Sequence, residues 1–105
     1  SMSYLKTLYG KTILNDMDSD ELTKDNEIEL EYYQIKNTAK NKPYGVEIVK
    51  RNMKNDILST EEKIVNNICN KENENIRVLE LLLNNKVTPI SVDDILEDLL
   101  KERVI

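Results

Sequence analysis

The sequence predicts a small α+β domain in which an antiparallel sheet of about three strands packs on two C-terminal helices. Two segments of alternating polar and apolar residues, 27–36 and 44–51, are joined by a polar loop, which is typical of an antiparallel hairpin. Two segments with apolar residues at helical spacing follow them along the chain. A chain of 105 residues has room for one such domain with a modest core.

The segment ahead of the hairpin, residues 1–26, is predicted to be an N-terminal arm and a partly mobile acidic linker, followed by a single domain over residues 27–105. Tyr4–Leu14 has β-branched and aromatic residues around Gly10, a composition that indicates either a short edge strand or a loosely docked arm. Residues 15–26 are polar and acidic, as is typical of a linker or mobile loop.

The hairpin prediction rests on the two-residue period that a half-buried strand requires. Three apolar residues of each strand share one face: Ile28, Leu30 and Tyr32 in the first, Tyr44, Val46 and Ile48 in the second. The opposite face also carries apolar groups, at Tyr33, Ile35 and Val49. We therefore expect that side of the sheet to be partly covered as well.

A third strand is expected because two strands alone are rarely stable, and Ile57–Cys69 is the candidate. Ser59, followed by Glu62 three residues later, resembles a helix capping box, and the apolar residues also fit helical spacing. The β-branched residues and the Asn66–Asn67 pair count against a helix, because they are poor formers of a helix interior. We favour the strand, with the helix as the alternative.

Two helices complete the predicted domain. Asn70 is a suitable N-cap for a first helix over residues 71–84, whose apolar residues wrap more than half of its circumference. We expect one apolar side to face the sheet and the other to face the second helix or a partner. Asn84–Asn85 can supply the left-handed residue that ends this helix.

The second helix follows a short extended connector. Pro89 disfavours a helical conformation at Thr88, and Ser91 is a suitable N-cap for the helix after it. This helix combines an apolar stripe with an acidic opposite face, and its first turn carries Asp93 and Asp94, where the helix dipole favours anions.

The composition excludes the usual catalytic and metal-binding groups. The chain has no histidine, one cysteine and two glycines, which rules out Ser–His and Cys–His pairs, a zinc site and a glycine-rich phosphate loop. Cys69 follows an apolar residue and is predicted to be a small buried hydrophobe. We therefore expect a cytoplasmic protein that is not an enzyme, has no cofactor and acts on no small-molecule substrate.

One motif imitates a calcium-binding loop. Asp16, Asp18, Asp20 and Glu27 have the spacing of the ligands in a helix–loop–helix calcium site. The position that requires glycine for the sharp turn holds Glu21, and an alternating strand pattern stands where the second helix should begin. No metal site is therefore predicted.

Nucleic acid is not the favoured partner, because a net charge of −5 opposes a grip on phosphates. Tyr32, Tyr33 and Tyr44 could form a stacking platform, but glutamates surround them, so packing within the domain is the better explanation. The basic hairpin over residues 36–51 stays open as an alternative nucleic-acid-binding element. No apolar run approaches the ~20 residues that span a bilayer, so no membrane contact is expected.

Three segments carry a resemblance to a known family: YYQI (residues 32–35), YGVEIVK (44–50) and ENIRVLELLLNNKVTPISVDDILEDLL (74–100), of which residues 85–100 are the most specific part. The second half of the chain thereby resembles a small uncharacterised family of short proteins from clostridia and related Firmicutes. The resemblance implies a bacterial cytoplasmic origin and supports the α+β architecture. It transfers no activity and no binding residue.

These observations favour a non-enzymatic protein-interaction or regulatory module that binds another protein or a second copy of itself. The candidate contact residues lie on the apolar side of the first helix and the acidic side of the second: Val78, Leu81, Leu82, Asp94, Glu97 and Asp98. A solvated helix face is the alternative interpretation of the acidic residues. A nucleic-acid-associated regulator and a purely structural homodimer are the alternative functions.

Overall fold

The computed structural model describes residues 4–14 and 26–102, so the predicted linker over 15–26 lies outside the described residues except for its last residue. The elements in these ranges are β1 (Tyr4–Leu14), β2 (Asn26–Asn37), β3 (Tyr44–Lys54), β4 (Ile57–Cys69), α1 (Glu72–Asn84) and α2 (Val92–Lys101). An antiparallel sheet packs against the two C-terminal helices, which confirms the predicted α+β class.

The sheet has four strands within the described residues, where the sequence predicts about three. The additional strand is β1, which pairs antiparallel with β2 from Tyr4 opposite Asn37 to Leu14 opposite Ile28. Of the two alternatives for this segment, the edge strand is therefore the correct one, and with 11 residues it is not short. β1 forms a strand because it pairs with β2, which is distant in the sequence. The local alternation of polar and apolar residues does not reveal such pairing.

The strands form an antiparallel meander in the order β1-β2-β3-β4. The predicted hairpin is β2 and β3, and β4 confirms the strand prediction for Ile57–Cys69, so Ser59 and Glu62 lie within a strand and cap no helix. Asn55 and Asp56, with φ of 51° and 64°, form the tight turn between β3 and β4. Two left-handed residues are what the commonest two-residue hairpin loop requires.

The core lies between one face of the sheet and the inner sides of both helices. The buried residues of this layer are Leu30, Tyr32, Tyr44, Val46, Ile48, Cys69, Val78, Leu79, Leu82, Val87, Val92 and Leu96. Full burial of a side chain such as leucine or valine contributes about 1.5–3 kcal/mol relative to exposure. This apolar layer is what holds both helices on the same side of the sheet.

The ends of α1 differ from the prediction by one or two residues. Lys71 is the N-cap instead of Asn70, and its side chain makes no capping hydrogen bond. Lys86, with φ of 50°, is the left-handed residue after the helix, in place of Asn84–Asn85. The helix still closes properly, because the backbone N–H groups that follow it donate to carbonyls of its last turn.

The connector between the helices is tied to the sheet. The buried hydroxyl of Tyr32 donates a hydrogen bond of 2.8 Å to the carbonyl of Val87, and burial raises the pKa of this phenol. Ser91 precedes α2 as predicted, but its hydroxyl does not cap the helix and instead accepts a hydrogen bond from the Thr88 hydroxyl at 3.2 Å.

Gly45 lies at an irregularity between β3 and β4. The register shifts between Tyr44 and Val46, so the glycine lies at a β-bulge. A Cβ on residue 45 would lie 2.3 Å from the carbonyl oxygen of Val65, so the close approach of β4 requires glycine. The buried amide of Asn75 donates a hydrogen bond of 2.9 Å to the Gly45 carbonyl and fastens α1 to this corner.

Candidate functional site: the open face of the sheet

The helices cover one face of the sheet, and every second strand residue points to the other face, which we name the open face. The alternation restarts in β1 at the register shift between Leu8 and Gly10. The open face is formed by Tyr4, Lys6, Leu8, Lys11 and Ile13 of β1, Glu27, Glu29, Glu31, Tyr33 and Ile35 of β2, Glu47, Val49, Arg51 and Met53 of β3, and Leu58, Thr60, Glu62 and Ile64 of β4.

Exposed apolar side chains are spread over the open face. Those that are between 40% and 53% exposed are Leu8, Ile13, Met53, Leu58 and Ile64, together with Tyr4. They surround Ile35 and Val49, which are buried although both helices lie on the other side of the sheet. Exposed apolar residues indicate an interaction site where they adjoin one another, as Met53 and Leu58 do across the β3–β4 pair.

Lys6 accounts for the burial of Ile35 on the open face. It lies opposite Ile35, yet its Nζ is 2.7 Å from Oε1 of Glu47 on β3 and 4.3 Å from the centre of the Tyr33 ring. The lysine stem therefore crosses β2 and shields Ile35. The hydrogen bond to the buried Glu47 carboxylate raises the pKa of the Lys6 amine.

Two further ion pairs lie on the same face. Arg51 of β3 pairs with Glu31 of β2, and Lys11 of β1 lies 3.8 Å from Glu29 of β2. All three cations of the open face thus have an anionic partner on a neighbouring strand or, for Lys6, two strands away. A protein that covered this face would meet charges that already have partners, which lowers the desolvation cost of binding.

The strand register arranges the open face in rows that run across all four strands. The row through the middle of the strands is Lys11, Glu31, Val49 and Glu62. The row on one side is Leu8, Tyr33, Glu47 and Ile64, and the row on the other is Ile13, Glu29, Arg51 and Thr60. Each outer strand therefore offers an apolar residue next to a charged or polar one.

The residues that the sequence proposes for partner binding are divided by the fold. Val78 and Leu82 of α1 are fully buried against the sheet, and Leu81 is half-buried. The other three, Asp94, Glu97 and Asp98, are exposed on α2, where Oε1 of Glu97 lies 3.4 Å from Nζ of Lys101. The structure does not bring the two groups together into one site, because the leucines of α1 face inward and the acids of α2 face solvent.

The wide apolar surface of α1 is used within the domain. Leu83 packs over β1, where a Cβ on Gly10 would lie 3.0 Å from its Cδ2 atom. The sequence alone does not establish β1 as part of the sheet. From the sequence, the second apolar side of α1 therefore has no partner within the domain. The additional strand accounts for the second apolar side of the helix.

The tyrosines do not form a stacking platform. Tyr32 and Tyr44 are buried on the helix side of the sheet, while Tyr33 lies on the open face beneath Lys6. In the basic hairpin, Nζ of Lys36 lies 5.6 Å from the centre of the Tyr44 ring, and Arg51 is paired with Glu31. Lys36 at the start of the hairpin thus contacts an aromatic ring, and Arg51 at its end is paired with a carboxylate of the same chain.

Groups for metal binding are not assembled in the described ranges. No group of three or more candidate metal ligands comes together there, and three of the four residues of the calcium-like motif lie outside them. Glu27, the fourth, is part of β2. The thiol of Cys69 is buried, and this burial, reinforced by Glu74, raises its pKa and keeps it protonated.

A groove of about 340 Å³ lies between the end of β4 and α2 and is lined by apolar Val65, Leu96 and Leu100 with Asp93 and Glu97 at its rim. Asp93 lies 3.2 Å from Lys63, and Glu97 is paired with Lys101. Both acids of the groove are therefore paired within the chain, as the cations of the open face are.

The apolar residues of the open face are the contact candidates that sequence reasoning missed. The available signal was the apolar content of the second face of the hairpin, at Tyr33, Ile35 and Val49. This signal predicts that the second face of the sheet is covered, but it does not identify what covers it. The register of β1 and β4 is needed before Leu8 and Ile64 can be assigned to the same surface.

Comparison with protein families gives a match over residues 11–102 to a family of unknown function, DUF6514. Comparison with curated proteins and with solved structures gives no significant match to either. Over residues 4–14 and 26–102, no helix combines the length and apolar character that a membrane crossing requires.

Proposed function

We propose that this chain, which belongs to the DUF6514 family of unknown function, is a non-enzymatic protein-interaction module. Its contact surface is the open face. The observation that carries the proposal is the set of exposed apolar side chains on this face, with Leu8 and Ile13 on β1 and Met53 beside Leu58 across the β3–β4 pair. A sheet face exposed to water normally alternates to polar residues, whereas this face keeps apolar groups on all four strands.

The mixture of residues on the open face fits a protein partner. Interfaces between proteins have an apolar centre and a polar rim, and aromatic residues, methionine and arginine are enriched in them. The open face supplies Tyr33, Met53 and Arg51 within such a surface. The paired charges favour a partner of mixed composition over nucleic acid, which requires clustered free cations.

The chemistry of the chain supports the non-enzymatic part of the proposal. The sequence has no histidine, its single cysteine is buried, and burial holds the Tyr32 phenol in its neutral form. The absence of a possible disulfide within one chain supports placing the protein in a reducing bacterial cytoplasm.

Affinity capture from a lysate of the source organism tests this proposal. Tagged wild-type protein is compared with Ile13→Lys and Leu58→Lys, which place a charge on the open face, and with Ile90→Lys. Ile90 is 87% exposed on the connector between the helices, so it is the matched control. We expect wild type and Ile90→Lys to enrich the same proteins and the two open-face variants to lose them. Enrichment that is equal for all four proteins would refute the proposed surface.

A further inference from the structure

We infer that the partner of the open face is the open face of a second copy, so that two sheets stack into a symmetric sandwich. This inference rests on the proposed function, since it names the occupant of the same surface.

A two-fold axis that runs parallel to the strands, midway between two stacked sheets, places β1 over β4 of the second copy and β2 over β3. Residues in the same row then lie at the same height. The strands of two stacked sheets cross at angles of up to about 30°. Residues near the middle of the strands therefore stay better aligned between the two copies than residues near the strand ends. Since the middle row begins with Lys11 in β1 and ends with Glu62 in β4, each Lys11 faces Glu62 of the second copy.

The neighbouring rows are complementary in the same arrangement. Leu8 lies over Ile64 of the second copy, which joins two exposed apolar side chains. On the other side of the middle row, Glu29 lies over Arg51 of the second copy. Every contact occurs twice by symmetry, and like charges do not face one another at these positions.

The exposed face of α2 lacks this self-complementarity. The α2 helix carries Asp93, Asp94, Glu97 and Asp98 against one cation, Lys101. Two copies that met through this helix would bring like charges together, which is unfavourable. Of these two surfaces, the distribution of charge favours the open face for self-association.

The area of the open face is that of a stable interface. Strands of 11 residues rise about 3.3 Å per residue, and four strands lie about 4.8 Å apart, so the face covers roughly 700 Å². Two copies would bury about 1,400 Å² in total, within the range of about 1,200–2,000 Å² for specific complexes.

Sedimentation equilibrium of the purified chain with a charge exchange tests the inference. We expect twice the chain mass of 12.2 kDa at micromolar concentration, and a dimer dissociation constant that rises about tenfold or more in Lys11→Glu and in Glu62→Lys. The double variant Lys11→Glu/Glu62→Lys should restore the wild-type constant. Within one chain the two residues are three strand spacings apart, about 14 Å, so the rescue reports contact between copies.

Leu8→Lys and Ile64→Lys should each abolish the dimer, whereas Ile90→Lys should leave it intact. Circular dichroism verifies that every variant is folded. A monomeric wild type would overturn the inference, as would a dimer that the open-face variants leave unchanged or a charge exchange without rescue. The proposed function is judged separately, because a monomer whose lysate partners are lost in Ile13→Lys and Leu58→Lys would uphold that proposal alone.

Discussion

Removal of the Lys6 amine is predicted to destabilise the domain by about 1–2 kcal/mol. In Lys6→Met the stem that shields Ile35 is retained, but Glu47, whose side chain is 4% exposed, loses its cation. Breaking a fully buried pair costs about 3–5 kcal/mol, and an exposed pair contributes about 0–1 kcal/mol. The Lys6 side chain is 41% exposed, so water compensates in part and the expected value lies between these limits.

Urea unfolding followed by circular dichroism measures this loss, which corresponds to about 5–10 °C in Tm for a domain of this size. The matched control is Lys11→Met on the same strand and face. Lys11 and Glu29 are 3.8 Å apart with side chains 64% and 34% exposed, so its cost should stay below about 0.5 kcal/mol. Both variants are measured over a range of chain concentrations, so that any contribution from association is recognised and subtracted.

The pH dependence follows from the raised pKa of Lys6. A group whose pKa is higher in the folded state contributes stability that is complete below its unfolded pKa and is lost as pH rises through the folded value. The difference between wild type and Lys6→Met should therefore be constant at neutral pH and shrink above about pH 10.5. Equal costs for Lys6→Met and Lys11→Met at pH 7 would refute the role assigned to the Lys6–Glu47 pair.

Three further predictions concern the bulge, the connector and the basic hairpin. Gly45→Ala should lower the free energy of unfolding by about 1–3 kcal/mol in chemical unfolding, because its Cβ meets a backbone oxygen. The Cβ of Gly10→Ala meets only the flexible end of the Leu83 side chain, so this control should lose less stability. A larger loss in Gly10→Ala than in Gly45→Ala would contradict this explanation. Tyr32→Phe should cost about 1–3 kcal/mol at pH 7, because the Val87 carbonyl loses its donor. The raised phenol pKa also makes the wild type lose stability above about pH 10, so an alkaline loss of equal size in Tyr32→Phe would contradict this role. No mobility shift of DNA or RNA is expected even at low salt, where electrostatic binding is strongest, and a shift would favour the basic hairpin as a nucleic-acid element.

Local periodicity was sufficient for the parts of the fold that are determined locally. The alternation over residues 27–36 and 44–51 marks β2 and β3, and the stripe that follows Ser91 marks α2. The ambiguous segment Ile57–Cys69 is a strand because a neighbouring strand is available for pairing, which outweighs its helical spacing.

The remainder depends on pairing between distant residues. Tyr4–Leu14 has no clear alternation, and a register shift after Leu8 interrupts it, so its membership of the sheet follows only from contact with β2. The partner-contact residues proposed from sequence include Val78 and Leu82, which are buried because α1 lies across the whole sheet, β1 included. The open face could not be defined before the register of all four strands was known.

Position-specific crosslinking of the purified chain tests the central claim most directly. A photoreactive amino acid replaces Ile64 on the open face or Ile90 on the connector, and a mixture of isotopically light and heavy chains identifies crosslinks between copies. The account predicts that residue 64 crosslinks to β1 of the second copy around Leu8, and that residue 90 gives no such product. Crosslinks between copies from residue 90 with none from residue 64 would contradict it.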